Sequence, residues 1–136
     1  MLLKTWIWVL FELAIVFILL SLPASNFHDQ SNWFGDLPID KLVHICLFSS
    51  LSISILVHFE TSKYPILKTV RANAYVLIFC ILYGIGMEYY QKYFVPSRGF
   101  DVNDMLADAA GAIIALPVLY RLRKNNLSKN RTFNGN

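Results

Sequence analysis

The sequence predicts an all-α fold, an integral membrane bundle of four transmembrane helices with both termini in the cytoplasm. Three observations predict it. Of 136 residues, 56% are hydrophobic and only 15% are charged, and the mean hydropathy is +0.48. Soluble domains carry about 45–50% apolar and about 25% charged residues. The apolar residues gather into four spans of 16 to 19 residues, near the roughly 20 that a helix needs to cross about 30 Å of hydrocarbon. The basic residues, finally, fall unevenly on the two sides that these spans define. The same composition excludes a disordered chain, a collagen and a nucleic-acid-binding tail.

The first helix is predicted over about 6–22, where only Glu12 and Ser21 interrupt the apolar run. A cleaved signal peptide fits poorly. Lys4 alone makes the basic region, Glu12 lies inside the apolar one, and Ser21-Leu22-Pro23-Ala24-Ser25 is a weak cleavage site. The second helix is predicted over about 42–59, the third over 72–91 and the fourth over 104–120, so that residues 1–120 form one transmembrane domain. The backbone must satisfy its own polar groups inside lipid, which favours helices, and none of the spans alternates with period two. Residues 121–136 read as a basic cytoplasmic tail without regular structure, its first residues close to anionic lipid.

Orientation follows from Lys and Arg. Lys4, Lys63, Lys68, Arg71, Arg121, Arg123, Lys124, Lys129 and Arg131 share one side; Lys41, Lys92 and Arg98 share the other. Nine against three places the termini inside and makes the chain a multi-pass protein of the bacterial cytoplasmic membrane. The pI of 8.9 then reflects topology, and no nucleic-acid partner is expected. Engineered cysteines at 28–35 are expected to react with an impermeant thiol reagent on intact cells. Those at 63–68 are expected to react only after permeabilisation, and the reverse pattern would invert the topology. The native Cys46 and Cys80 sit at different depths, lack metal-binding spacing and read as two buried apolar thiols without a disulfide.

The carboxylates are as asymmetric as the cations. Glu60 falls on the inner side and Glu12 within the first helix, while Asp29, Asp36, Asp40, Glu88, Asp101, Asp104 and Asp108 lie outside or at outer helix ends. Asp101, Asp104, Asp108, Gly111 and Ala115 fall within about 80° of one another on a helix turning 100° per residue. Three carboxylates therefore stand above small residues that let another helix approach. Gly84, Glu88 and Gln91 share a stripe on the third helix, and Asp40 and His44 stand one turn apart on the second. With Arg98 in the loop between the last two helices, a polar ligand-binding site is predicted from Asp40, His44, Glu88, Gln91, Arg98, Asp104 and Asp108.

Simpler roles exist for several of these residues. Asp40, Asp101 and Asp104 suit helix N-termini. Lys41 and Lys92 suit snorkelling interfacial cations, and His58 with Glu60 suits a solvated inner helix end. Glu12 suits snorkelling or pairing with an inner-side cation. Asp108 and Glu88 are harder to explain so, because ionisable groups at membrane depth normally face a bundle interior or an aqueous cavity. Their mutual repulsion needs compensation. Arg98 with a proton kept on the cluster is expected to supply it; no metal and no cofactor are expected, since His44 is the one nitrogen ligand.

Asp40-Lys41-Leu42-Val43-His44, Glu88-Tyr89-Tyr90-Gln91, Arg98 and Asp104-Met105-Leu106-Ala107-Asp108-Ala109-Ala110-Gly111-Ala112, with Ser21-Leu22-Pro23 after the first helix, resemble the VanZ-like family of small bacterial membrane proteins over about residues 6–118. The resemblance implies four membrane helices and an envelope-related role, the family being associated with teicoplanin resistance. Many family members have Asn where Asp108 stands, which implies that hydrogen bonding is the shared property there.

Three functions fit the residues. The first is binding or modulating an envelope-related molecule, lipid-linked or peptidoglycan-related, at the outer face, with Arg98 on a phosphate or carboxylate. The second is an enzyme acting on a lipid-linked phosphate or glycoside, though no HExxH, GxSxG or phosphate-binding loop is present and no residue is assigned a catalytic role. The third is a structural membrane partner subunit. Membrane lipids are the expected surroundings in each case, and an oligomer is compatible with all three.

Overall fold

The computed structural model describes residues 2–23, 39–96 and 98–133, with the side chains of 6–23, 39–96 and 98–125. Among these residues all regular structure is helical: α1 (Leu2–Leu20), α2 (Ile39–Thr61), a 3₁₀ turn (Pro65–Lys68), α3 (Val70–Phe94) and α4 (Val102–Phe133). The readings of Asp29 and Asp36 lie outside the described residues.

α1 ends at Leu20, two residues short of its predicted span, while α2, α3 and α4 extend beyond theirs; at α3 and α4 polar groups finish the ends. Thr69 caps α3 by accepting from the Ala72 N–H at 3.2 Å. At the far end the Val95 N–H closes the last turn on the Gln91 carbonyl. Asp101 caps α4, its Oδ1 accepting from the Asn103 N–H at 2.8 Å. The tail expected from 121 is instead helical through Phe133. Arg, Leu and Lys after Tyr120 are good helix formers, and Arg123 is anchored by the Glu60 carboxylate at 2.8 Å and the Lys68 carbonyl at 3.0 Å.

The helices alternate in direction. α2 and α4 run parallel, with Lys41 beside Asp104, His44 beside Asp108, Ser49 beside Gly111 and Ser52 beside Ala112. α1 and α3 run the other way, with Tyr83 on the Leu13 carbonyl and Gln91 on that of Leu20. The α2–α4 seam is the most extensive. A Cβ on Gly111 would lie 2.5 Å from the Ile45 carbonyl oxygen, so the missing side chain is what lets these backbones meet. Ser49 and Ser52 then donate across the seam to the Gly111 and Ala112 carbonyls at 3.0 and 3.1 Å.

Phe48, Leu51, Ile55, Val16, Leu20, Val76, Cys80, Ala112 and Ala115 fill the interior. The outside is as apolar as the inside: Trp8, Phe11, Leu82, Leu106 and Ile113 all face outward. Such a surface far exceeds what soluble monomers expose. α2, α3 and Val102–Asn125 of α4 are each long and apolar enough to cross a membrane, while α1 is apolar and shorter. The protein is a membrane protein.

Two single-residue expectations change here. His58 is buried rather than solvated, with its ring edge-on to Trp6 at 4.8 Å. Of the two thiols expected inside, Cys80 is buried but Cys46 faces outward; both are free. Glu12 accepts from the Ser50 hydroxyl, a tie between α1 and α2.

Candidate functional site

The polar residues collect at the end of the bundle where α2 and α4 begin and α1 and α3 finish. Because α2 and α4 run parallel in register, their first turns bring Asp40, Lys41 and His44 against Asp101, Asp104 and Asp108. Lys41 Nζ sits 3.0 Å from Asp101 Oδ2 and 3.1 Å from Asp104 Oδ1. One turn deeper, His44 Nδ1 and Asp108 Oδ1 lie 2.8 Å apart, and both side chains are completely buried. Asp108 fits there because Gly84 of α3 has no side chain: a Cβ on Gly84 would lie 2.5 Å from Asp108 Oδ2.

Glu88 reaches the cluster from α3. It is fully buried, and its Oε2 accepts from the Asp101 backbone N–H at 3.0 Å. The carboxylate thus ties the end of α3 to the start of α4, using an N–H just ahead of the first helical turn. Gln91 donates to the Leu20 carbonyl at 2.9 Å, one of the acceptors left open at the end of α1. Arg98 donates from Nε to the Leu22 carbonyl at 3.2 Å and pairs through Nη2 with Asp40 Oδ1 at 3.1 Å.

Three buried atoms in this cluster have no hydrogen-bond partner among the described residues: His44 Nε2, Glu88 Oε1 and Asp108 Oδ2. They come from three helices. An unpaired buried polar atom costs about 1–3 kcal/mol. Five carboxylates (Asp40, Glu88, Asp101, Asp104 and Asp108) face two permanent cations (Lys41 and Arg98), so the site is acidic.

Asp101 lies just outside the membrane-spanning segments. The Asn103 N–H, and after it Lys41, hold its carboxyl below the ordinary value. Its contribution to stability is therefore present above the usual carboxylate pKa of about 3.9 and is lost as pH falls through the lower folded value.

Residues 4–124 match the profile of the VanZ/LLP1 family. The chain belongs to that family. No curated protein and no solved structure matches it. The VanZ/LLP1 match reaches all four helices, ending at residue 124 within α4, and covers every residue of the cluster.

Within this VanZ/LLP1 chain the structure places six of the seven predicted residues at this end in three bonded sets: Arg98 with Asp40, His44 with Asp108, and Glu88 and Asp104 joined through Asp101, whose N–H meets Glu88 and whose carboxylate shares Lys41 with Asp104. Gln91 is close in the chain to Glu88, but its amide nitrogen is spent on the end of α1. The expectation that Lys41 merely snorkels is overturned, since it bridges two α4 carboxylates. Its signal was its place beside Asp40 at the start of α2. Arg98 lies on Asp40 and the end of α1, and the offset to Asp104 comes from Lys41 instead. Lys92 does sit among rings, 5.3 Å from the Tyr93 centroid and 5.9 Å from that of Phe100. Asp101 joins the cluster both as helix cap and through its backbone.

Proposed function

We propose that this VanZ-like protein resides in the bacterial cytoplasmic membrane with its polar end outward, and that this end binds or modulates an envelope-related molecule. The nine-to-three division of Lys and Arg supports the orientation. The observation that carries the binding reading is the set of three buried, unpartnered polar atoms, His44 Nε2, Glu88 Oε1 and Asp108 Oδ2. The rim pairs Lys41, Gln91 and Arg98 but leaves these three open; His58 and Asn73 also carry buried unpartnered atoms, and what supports a ligand here is that the open atoms come from three helices within one acidic cluster. The ligand group that suits the acidic cluster by itself is a donor-rich one, such as sugar hydroxyls or an amine. An anionic phosphate needs a further positive charge. Family membership supports a role in the envelope, including the association with glycopeptide resistance.

An enzymatic reading draws on one specific feature. A buried imidazole oriented by a carboxylate, with its second nitrogen free, is the arrangement of a general acid–base. A lipid-linked phosphate or glycoside would be the substrate.

The binding reading is tested by what the purified protein retains. Wild type extracted from cells in mild detergent is expected to carry a lipid-linked saccharide or peptidoglycan precursor, detected by mass spectrometry. Glu88→Gln and Asp104→Asn keep size and most hydrogen bonding, and are expected to lose that molecule while accumulating to the same yield. Lys92→Gln is expected to keep it. Equal retention in all four proteins, or none in the wild type, would speak for a structural rim.

A further inference from the structure

We propose that Asp40, His44 and Asp104 hold a divalent metal ion of the zinc class at the polar end of the bundle. One ligand atom from each of these residues lies within 4.8 Å of those of the other two. An acidic group near a histidine is not by itself a metal site. The independent observation is the state of His44. Its ring is wholly buried, its Nδ1 is held by Asp108 at 2.8 Å, and its Nε2 has no partner among the described residues. With Nδ1–H donating to the carboxylate, the neutral imidazole carries its lone pair on Nε2. Metal-binding histidines are almost always prepared in this way, the second nitrogen donating to a carboxylate or carbonyl.

The carboxylates retain capacity. Lys41 occupies Oδ1 of Asp104 and Arg98 occupies Oδ1 of Asp40, which leaves each Oδ2 available. Bonds of about 2.0–2.2 Å around a tetrahedral ion require donor atoms about 3.4 Å apart, a contraction that rotation of two first-turn aspartates supplies. One imidazole and two carboxylates, without a thiolate, suit Zn²⁺, Co²⁺ or Mn²⁺ better than the oxygen-only Ca²⁺ and Mg²⁺ or the thiophilic Cu(I). Charge favours the ion as well. Five carboxylates face only Lys41 and Arg98 as permanent cations, and a dication supplies positive charge where the cluster lacks it. Three protein ligands leave a coordination position open, so the ion gives an acidic site the means to take a phosphate or carboxylate oxygen.

This inference concerns the cluster assigned above to an envelope molecule and rests on reading that cluster as a binding site, but its test reads metal alone. Protein purified without chelator is analysed for metals, stripped with EDTA, and titrated with ZnCl₂ and, as a spectroscopic probe, CoCl₂. About one equivalent is expected to bind saturably, raising the Tm of the stripped protein and giving visible Co²⁺ bands. His44→Gln is expected to weaken Zn²⁺ by more than about 100-fold, and Asp108→Asn by about 10–100-fold through the orientation of the ring. Lys41→Gln is expected to tighten it by removing a competing cation, and Lys92→Gln to leave it unchanged. Should His44→Gln fail to accumulate, Asp104→Asn carries the ligand test. Absence of saturable binding, or equal affinity in wild type and the ligand variants, overturns the proposal. A protein that retains an envelope molecule yet binds no metal refutes the ion and spares the ligand site. One that binds zinc and retains no envelope molecule does the opposite.

Discussion

Gly111→Leu is expected to keep the chain from accumulating as a folded, monodisperse protein. A Cβ at this position would meet not a movable side chain but the α2 backbone: the Ile45 oxygen at 2.5 Å, its Cα at 3.1 Å and its carbonyl carbon at 3.2 Å. Relief requires α2 and α4 to separate, which breaks the Ser49 and Ser52 bonds across the seam and pulls Asp40, Lys41 and His44 away from α4. Overpacking typically costs about 1–3 kcal/mol, and a wedge between two backbones lies at or above the top of that range. In a membrane no hydrophobic gain brings the helices back together, because lipid is as apolar as leucine. Gly111→Ala is expected to show a smaller loss of the same kind. Gly86→Ala is the control, since nothing lies within 4 Å of its Cβ. Detergent size-exclusion profiles and Tm values read all three.

Asp108→Leu is expected to be damaging for a different reason. His44 and Asp108 are both wholly buried, so removal of the carboxylate leaves the His44 Nδ1–H a buried donor without an acceptor. An unsatisfied buried group of this kind costs about 1–3 kcal/mol. The branched Leu side chain would also have to occupy the space that Gly84 leaves for one carboxylate. Asp108→Asn keeps the acceptor that His44 needs and nearly the same shape. It is expected to lower the Tm only slightly, and comparison of the two variants separates loss of the hydrogen bond from loss of charge. If Asp108→Leu were as stable as wild type, the His44–Asp108 pair could not be what holds the first turns of α2 and α4 together.

Much of this arrangement was legible in the residues. The four helices followed from the apolar spans, and the depth shared by Asp104, Asp108, Glu88 and His44 followed from helical phase. Gly84 and Gly111 stood out because small residues lay directly below polar ones on the same stripe. Other features depend on which helix packs beside which. Lys41 looks like an interfacial cation until α4 is laid parallel to α2, when two carboxylates come within reach of one flexible side chain. The bond from the Asp101 N–H to Glu88 involves a backbone group, which leaves no mark in composition or spacing. Arg98 could be placed in the right loop but not on its partners, because its choice of Asp40 and the Leu22 carbonyl depends on where α1 ends. His58 looked solvated at the end of its span, but α1 brings Trp6 over it. The continuation of α4 past Tyr120 was hidden by reading helix length from hydropathy, which reports the lipid-compatible part of a helix and not its end.

The central claim is that the polar end of this bundle takes an envelope molecule from outside, and photo-crosslinking in living cells tests it most directly. A photoreactive amino acid replaces Phe100, which is 39% exposed at the rim and packs its ring 5.3 Å from Tyr89. The control replaces Ile66, 72% exposed at the opposite end. The account predicts a light-dependent adduct at position 100 that carries saccharide, peptide or polyprenyl phosphate, absent from position 66 and diminished by Glu88→Gln. Ordinary phospholipid adducts at both positions, unchanged by Glu88→Gln, would contradict it.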